Sequence, residues 1–155
     1  MNISMASKMP DITLKAIGII RNEIKQPQKD GWENVISDIV VDNSLTEALD
    51  GLEDFSHILV IYWMHLVVNN GKLRTKVHPR HMEELPLVGL FASRSPNRPN
   101  PIGKAIVRLL HRDGNILKVE GLDAVDGSLL IDIKPYIPGY DSVDDAKVPQ
   151  WIANQ

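Results

Sequence analysis

Three prolines in six residues, Pro96, Pro99 and Pro101, constrain this chain more than any other feature. Each fixes its own φ and pushes the residue before it out of the helical region. Residues 91–103 (Phe-Ala-Ser-Arg-Ser-Pro-Asn-Arg-Pro-Asn-Pro-Ile-Gly) can therefore form neither a helix nor the paired interior of a strand. The segment reads as a rigid, extended loop that has given up much of its backbone entropy before any partner arrives. It holds Arg94, Arg98 and Asn100 in set relation, a spacing suited to an anionic or planar ligand. The plainer reading of the same residues is a solvated proline-rich turn.

On either side the chain reads as short strands joined by turns. Residues 14–22 are rich in isoleucine and predict a first strand, followed by a polar loop over 23–33 that holds Gln26-Pro27-Gln28. Residues 35–41 predict a second strand, and Ser44-Leu45-Thr46-Glu47 has the form of a capping box opening a short helix to about residue 52. Residues 55–64 are apolar on both faces, which predicts a central strand covered on both sides. Asn69-Asn70-Gly71 breaks that strand, and a long basic connection over 72–86 follows. A short strand over 87–92 delivers the chain into the proline-rich loop, and a longer one over 102–111 leaves it. Asp113-Gly114 predicts a tight hairpin to a returning strand over 115–121. A second pair, Asp126-Gly127, precedes a strand over 128–134 whose fully apolar face is Leu129, Ile131 and Ile133. Pro135 ends it, and the tail to residue 155 reads as irregular, with Trp151 as an anchor. About seven short strands, mostly in hairpin order, predict a mainly β fold: a small antiparallel β-barrel with one or two short helices.

At 155 residues and 43% hydrophobic content the chain makes one domain with a sizeable core, expected over 14–142 between flexible tails at 1–13 and 143–155. It has no cysteine, which excludes disulfides, thiolate metal sites and cysteine nucleophiles together and suits a reducing compartment. The longest apolar run, 58–64, is far too short to span a bilayer, and no signal pattern opens the chain. The expectation is a soluble cytoplasmic protein with no membrane partner. A net charge of -3 argues against a nucleic-acid partner until it is divided along the chain. Residues 72–112 hold nine Lys and Arg against Glu83 and Glu84 alone, whereas the remainder holds eight basic and eighteen acidic residues. A local basic field around the rigid loop can steer a polyanion despite the acidic total.

Arg94-Ser95-Pro96-Asn97-Arg98-Pro99-Asn100-Pro101-Ile102-Gly103, followed by Asp123-Ala124-Val125-Asp126-Gly127 and Asp132-Ile133-Lys134-Pro135-Tyr136-Ile137-Pro138, resembles the TsaA-like family. The characterised members of that family are S-adenosylmethionine-dependent tRNA methyltransferases. Ile17-Gly18-Ile19-Ile20-Arg21 and Phe55-Ser56-His57-Ile58 extend the likeness, which runs in order from about residue 14 to residue 142. The resemblance implies a small β-barrel working as a homodimer, S-adenosyl-L-methionine as cofactor, and tRNA as substrate. The methyl acceptor would be N6 of threonylcarbamoyladenosine beside the anticodon. Some larger members carry an extra carboxy-terminal segment, which leaves the grip on tRNA open.

No Gly-x-Gly occurs in the chain and strand–helix alternation is missing, so a methyl donor is not held here by a doubly wound α/β domain. A pocket of another kind must offer a wall for adenine, acceptors for the ribose hydroxyls, a partner for the methionine carboxylate and an open line to the acceptor. Arg94 suits the carboxylate and Asp123 the ribose. By carry-over from the family, cofactor contacts fall on Gln26, Pro27 and Gln28, on His65 and Leu66, on Arg94 and Lys104, and on Gly121, Leu122, Asp123 and Ala124. The plain reading of the last block is a strand end feeding a turn. Arg98, Asn100 and Tyr136 are the candidate substrate contacts. A urea-type nitrogen is a poor nucleophile until its proton is taken, which makes Asp126 and Asp132 candidate bases and Lys134 a candidate anion stabiliser. Asp132, Lys134 and Tyr136 form a second polar group, of which Lys134 and Tyr136 are expected to flank the loop mouth, the alternative being a buried Asp–Lys pair with Tyr136 as barrel packing. His57, on an apolar strand, reads as a core or interface histidine. In His78-Pro79-Arg80-His81 the proline prevents a helix from carrying both histidines, and no metal is expected. The rival to an enzyme is a dimeric module that binds S-adenosylmethionine or nucleic acid without turnover.

Overall fold

A computed structural model describes residues 8–68 and 72–154; the expected strand break at Asn69-Asn70-Gly71 and residues 1–7 of the expected tail lie outside them. The fold is mainly β. Its strands are β1 (Gly18–Arg21), β2 (Ile36–Val41), β3 (His57–Trp63), β4 (Lys76–Val77), β5 (Val88–Gly89), β6 (Ile102–Asp113), β7 (Ile116–Glu120) and β8 (Leu129–Pro135). Six of them close into an antiparallel barrel in the order β1-β2-β7-β6-β3-β8, and β4 and β5 pair as a separate ribbon. Closure leaves the barrel no free edge.

Alternation along each strand fills the barrel. Ile20, Ile39, Ile58, Val60, Val107, Leu117, Val119 and Leu130 all point inward and are almost fully buried. Truncating any one of these leucines or isoleucines to alanine would cost about 2–5 kcal/mol, because a closed barrel has little room to collapse around the cavity. β8 departs from the simple alternation expected of it. Its pairing with β3 slips between Ile61 and Tyr62, so that Tyr62 faces Leu130 while Ile61 faces Asp132. The extra residue, Ile131, turns Leu130 and then Ile133 toward the core and leaves Leu129 38% exposed. The expected apolar face of Leu129, Ile131 and Ile133 is therefore wrong at Leu129.

Other expectations shift at element ends. The first strand is confined to Gly18–Arg21, because β8 meets it only at Gly18 and Ile19 and residues 8–16 are exposed. The Ser44–Glu47 capping box does not form. Asp42 is the cap, accepting from the backbone and hydroxyl of Ser44 at 2.9 and 2.6 Å, and it opens a 3₁₀ helix over Asn43–Leu49. The strand expected over 87–92 shrinks to Val88–Gly89 and then tightens into a 3₁₀ turn at Leu90–Ala92. The tail holds two single helical turns, Pro138–Asp141 and Gln150–Ala153, the second carrying Trp151. None of the helices among the described residues is long and apolar enough to cross a membrane.

Strand direction decides where the loops meet. Trp63 at the end of β3 pairs with Ile102 at the start of β6 and Leu129 at the start of β8, and Arg21 at the end of β1 pairs near the start of β2. The connections 22–35, 64–101 and 121–128 consequently all leave from one rim. At the opposite rim Arg112 ties the β2–β3 connection to the β6–β7 hairpin. Its guanidinium donates to Asp50 (2.8 Å), the Thr46 carbonyl (3.1 Å), Glu53 (3.2 Å) and the Gly114 carbonyl (2.9 Å).

Candidate functional site

Asn22 and Asp126 bind two of the rim loops to each other. The Asn22 amide group donates to Ser37 Oγ at 2.9 Å and to the Ala124 carbonyl at 2.8 Å, and its own oxygen accepts from the Ile24 N–H. Asp126 accepts from the Asn22 N–H at 3.0 Å and from Lys25 Nζ at 2.9 Å, with Arg21 at 3.9 Å. The Asp126 N–H returns to the Ile24 carbonyl at 2.7 Å. The Lys25 ammonium first, and then the Asn22 N–H, hold the Asp126 carboxyl below the usual carboxylate range. A carboxylate stabilised in this way is a weak proton acceptor and a firm clamp, and it positions the segment leading to Gln26, Pro27 and Gln28.

Tyr62 anchors the third block. Its buried ring lies inside the barrel and its hydroxyl donates to Asp123 Oδ1 at 2.8 Å and reaches the Asp123 carbonyl at 3.1 Å. Burial, with the Asp123 carboxylate beside it, pushes the phenol well above its ordinary range, so it stays a donor at any working pH. Gly103 pairs directly with Tyr62, and a Cβ there would collide with the Tyr62 ring. The glycine is thus required by the tyrosine. Within 121–124 the side chains of Leu122 and Ala124 are buried in the core while Asp123 faces solvent, which leaves the Asp123 carboxylate and the backbone as the groups a ligand can reach. Gly127 takes φ 84, a conformation that favours glycine, and lies against His65: a Cβ there would touch His65 Nε2 at an ordinary contact distance of 3.5 Å. That contact brings the end of β3, with His65 and the exposed Leu66, beside the clamp.

The proline-rich loop is built from tight local turns. The Arg98 N–H closes on the Pro96 carbonyl at 2.8 Å, the Ile102 N–H on the Asn100 carbonyl at 2.7 Å, and the Met64 N–H on the Pro101 carbonyl at 2.8 Å. Arg98 turns back into the loop, donating to the Ser93 carbonyl at 2.8 Å and the Ser95 carbonyl at 3.2 Å, and its guanidinium lies 5.7 Å from the centre of the Phe91 ring. Arg94 is exposed and has no ion pair or hydrogen bond among the described residues. Asn100 is exposed on the same loop.

Not every expected residue reaches this rim. Asp132 and Lys134 form an exposed ion pair of 3.0 Å on the outer wall, opposite Ile61 and Leu59. The Tyr136 N–H bonds the His57 carbonyl near the far rim, and its ring meets His57 edge-on at 6.4 Å. The expected placement of Lys134 and Tyr136 at the loop mouth is therefore corrected: the strand register carries them away from it. Lys104, opposite Ile61, points outward from β6. Asn22, Lys25 and Tyr62 were not singled out from sequence. Asn22 was read as the last residue of the first strand, which ends at Arg21, and Tyr62 was hidden in an apolar run whose inward phase only closure of the barrel sets. Among the described residues no cluster of metal-ligating side chains occurs.

Residues 21–142 match the model of the tRNA-methyltransferase O N-terminal domain. An S-adenosyl-L-methionine-binding protein of Archaeoglobus fulgidus is 39% identical over 88% of this chain and 98% of its own length. The tRNA (adenine(37)-N6)-methyltransferase of Escherichia coli is 36% identical over 89% of this chain and 63% of its own. A crystal structure of TrmO superposes with a TM-score of 0.73 at 29% identity, covering 90% of this chain and 64% of that one. The chain thus spans under two thirds of the named methyltransferase, and only 37% of another A. fulgidus relative.

Proposed function

The chain belongs to the family of the tRNA-methyltransferase O N-terminal domain, and from that premise we propose that it transfers a methyl group from S-adenosyl-L-methionine to tRNA. On this reading the acceptor is N6 of threonylcarbamoyladenosine beside the anticodon. One observation carries the proposal: the loops bearing the expected cofactor residues other than Lys104 leave a single barrel rim, with Arg94, unpaired among the described residues, and an outward Asp123 on them. The residues fit the donor. Arg94 offers a bidentate partner for a carboxylate, and Asp123 keeps one oxygen for ribose hydroxyls while Tyr62 holds the other. Gln26, Pro27, Gln28, Leu66 and the backbone of 121–124 supply a wall. The donor, when bound, contributes an electrophilic methyl group; the protein's share is to orient it and the acceptor and to exclude water.

Asp126 stands at the rim, but the contacts that make it a clamp also make it a weak proton acceptor. Removing the acceptor's proton then falls to Asp132, which with Lys134 on the outer wall serves only a site completed by a second copy of the chain. The working unit is then a homodimer, which would also cover the exposed Ile102, Ile106 and Leu110 on the outer face of β6. Its compartment is the cytoplasm, where tRNA is found. Labelled donor incubated with tRNA that carries or lacks the threonylcarbamoyl group tests the activity: only the former should be labelled, and labelling of neither refutes it.

A second reading has its own support. The A. fulgidus relative that this chain covers almost completely is named as a binding protein, whereas the E. coli methyltransferase is longer. A dimeric module that binds the donor without turnover would show tight binding by calorimetry together with no transfer to any tRNA.

A further inference from the structure

A cleft of about 750 Å³ opens between the proline-rich loop, the turn after β4, the β1–β2 loop and the last helical turn. Phe91, His81 and Trp151 line it, as do Lys29, Arg80 and Arg94 against the single carboxylate of Asp30. Neither Lys29, Arg80 nor Arg94 has an ion pair among the described residues. Phe91 is 78% exposed, an unusual position for a large apolar ring, and the Arg98 guanidinium beside it limits its freedom.

The turn that delivers Arg80 and His81 is strained. Both residues adopt left-handed backbone, at φ 55 and 57, which non-glycine residues rarely do in succession. The His81 N–H to the His78 carbonyl and the Met82 N–H to the Pro79 carbonyl hold the turn, while His78 Nδ1 pairs with the Leu85 carbonyl at 2.8 Å. None of those bonds requires the two side chains to face the cleft, yet both line it.

We infer that this cleft seats one unstacked nucleobase of single-stranded RNA, stacked on Phe91 with Trp151 and His81 as further walls and its phosphates toward Lys29 and Arg80. The inference rests on the tRNA reading for the identity of the strand but not on methyl transfer. The chemistry favours RNA over an acidic peptide, because exposed aromatic faces interleaved with unpaired cations match bases on a phosphate backbone, and a peptide carboxylate has no use for the rings. Trp151 lies beyond residues 21–142 of the family match, so this wall is supplied by a segment outside the shared domain.

The test uses the whole chain without donor and measures binding of a short single-stranded oligoriboadenylate, the same sequence as a duplex, and adenosine monophosphate. Single strands should bind best. Phe91→Ala and Trp151→Ala should each weaken that binding about 5- to 100-fold, the usual worth of a base–aromatic stack, while Phe91→Trp retains it. Thermal melting confirms folding of each variant, and calorimetry with S-adenosyl-L-methionine should return parental affinity for Phe91→Ala. The proposal is overturned if both alanine variants bind the single strand as the parent does, or if the parent prefers the duplex. Monophosphate binding equal to that of the oligomer would also overturn it, since the cleft would then recognise a free nucleotide. A failed methyl-transfer assay leaves each of these readouts unchanged.

Discussion

Replacing Tyr62 by phenylalanine removes one oxygen and keeps the ring that fills the barrel, which isolates the bond to Asp123. The structure shows a single good donor contact to a carboxylate, at 2.8 Å, from a hydroxyl on a ring that is 4% exposed. A hydrogen bond to a charged partner contributes about 1.5–3 kcal/mol net, and the lower end applies because water can resolvate the exposed Asp123 once the hydroxyl is gone. At about 2–4 °C per kcal/mol for a domain of this size, the melting midpoint should fall by about 3–6 °C. The function should change as well, since the 121–124 segment loses its tether to the barrel floor and donor affinity should drop in the same variant. Scanning calorimetry and donor titration give the two numbers. A midpoint within about 1 °C of the parent would refute the reasoning, for the bond would then carry no net stability. Gly103→Ala provides the companion test: its methyl meets ring carbons as well as the hydroxyl, so adding Tyr62→Phe should not rescue it.

Three further outcomes follow from the geometry. Arg94→Ala should weaken donor binding about 10- to 100-fold in calorimetry with little change in melting, as expected for loss of a charge-assisted contact made only to ligand. Arg98→Ala should instead lower both the melting midpoint and the affinity for donor and tRNA alike, because its guanidinium staples the Ser93 and Ser95 carbonyls within the loop. The Asp126 carboxyl is depressed below its unfolded value, so its stabilising contribution is complete above about pH 4 and is lost as pH falls through the lower folded value. Unfolding measured at neutral and at acid pH should accordingly show a smaller acid loss for Asp126→Asn than for the parent; an equal loss would remove the clamp as the cause.

Local stereochemistry made part of this protein readable from its residues alone. Of the 91–103 segment that proline geometry was expected to bar from helix and strand, 93–101 obeys, while Phe91 and Ala92 close a 3₁₀ turn and Ile102 and Gly103 open β6; Asp113-Gly114 marked the β6–β7 hairpin, and both readings follow from φ restrictions within a few residues. The family likeness was likewise a matter of contiguous residues, and the matched domain agrees with it. What depended on closing the barrel could not be read this way. The β8 bulge set which side of the wall Leu129 faces, and the β3–β8 register sent Lys134 and Tyr136 away from the loop they were expected to flank. Arg98 read as a substrate contact and Asp126 as a base because sequence records that a side chain is ionisable, not whose carbonyl or ammonium stands beside it. Arg98's partners, the Ser93 and Ser95 carbonyls, are set by the fold of its own loop, but Asn22 and Asp126 stand 104 residues apart along the chain, and only the antiparallel closure that gathers three loops on one rim brings them within 3.0 Å.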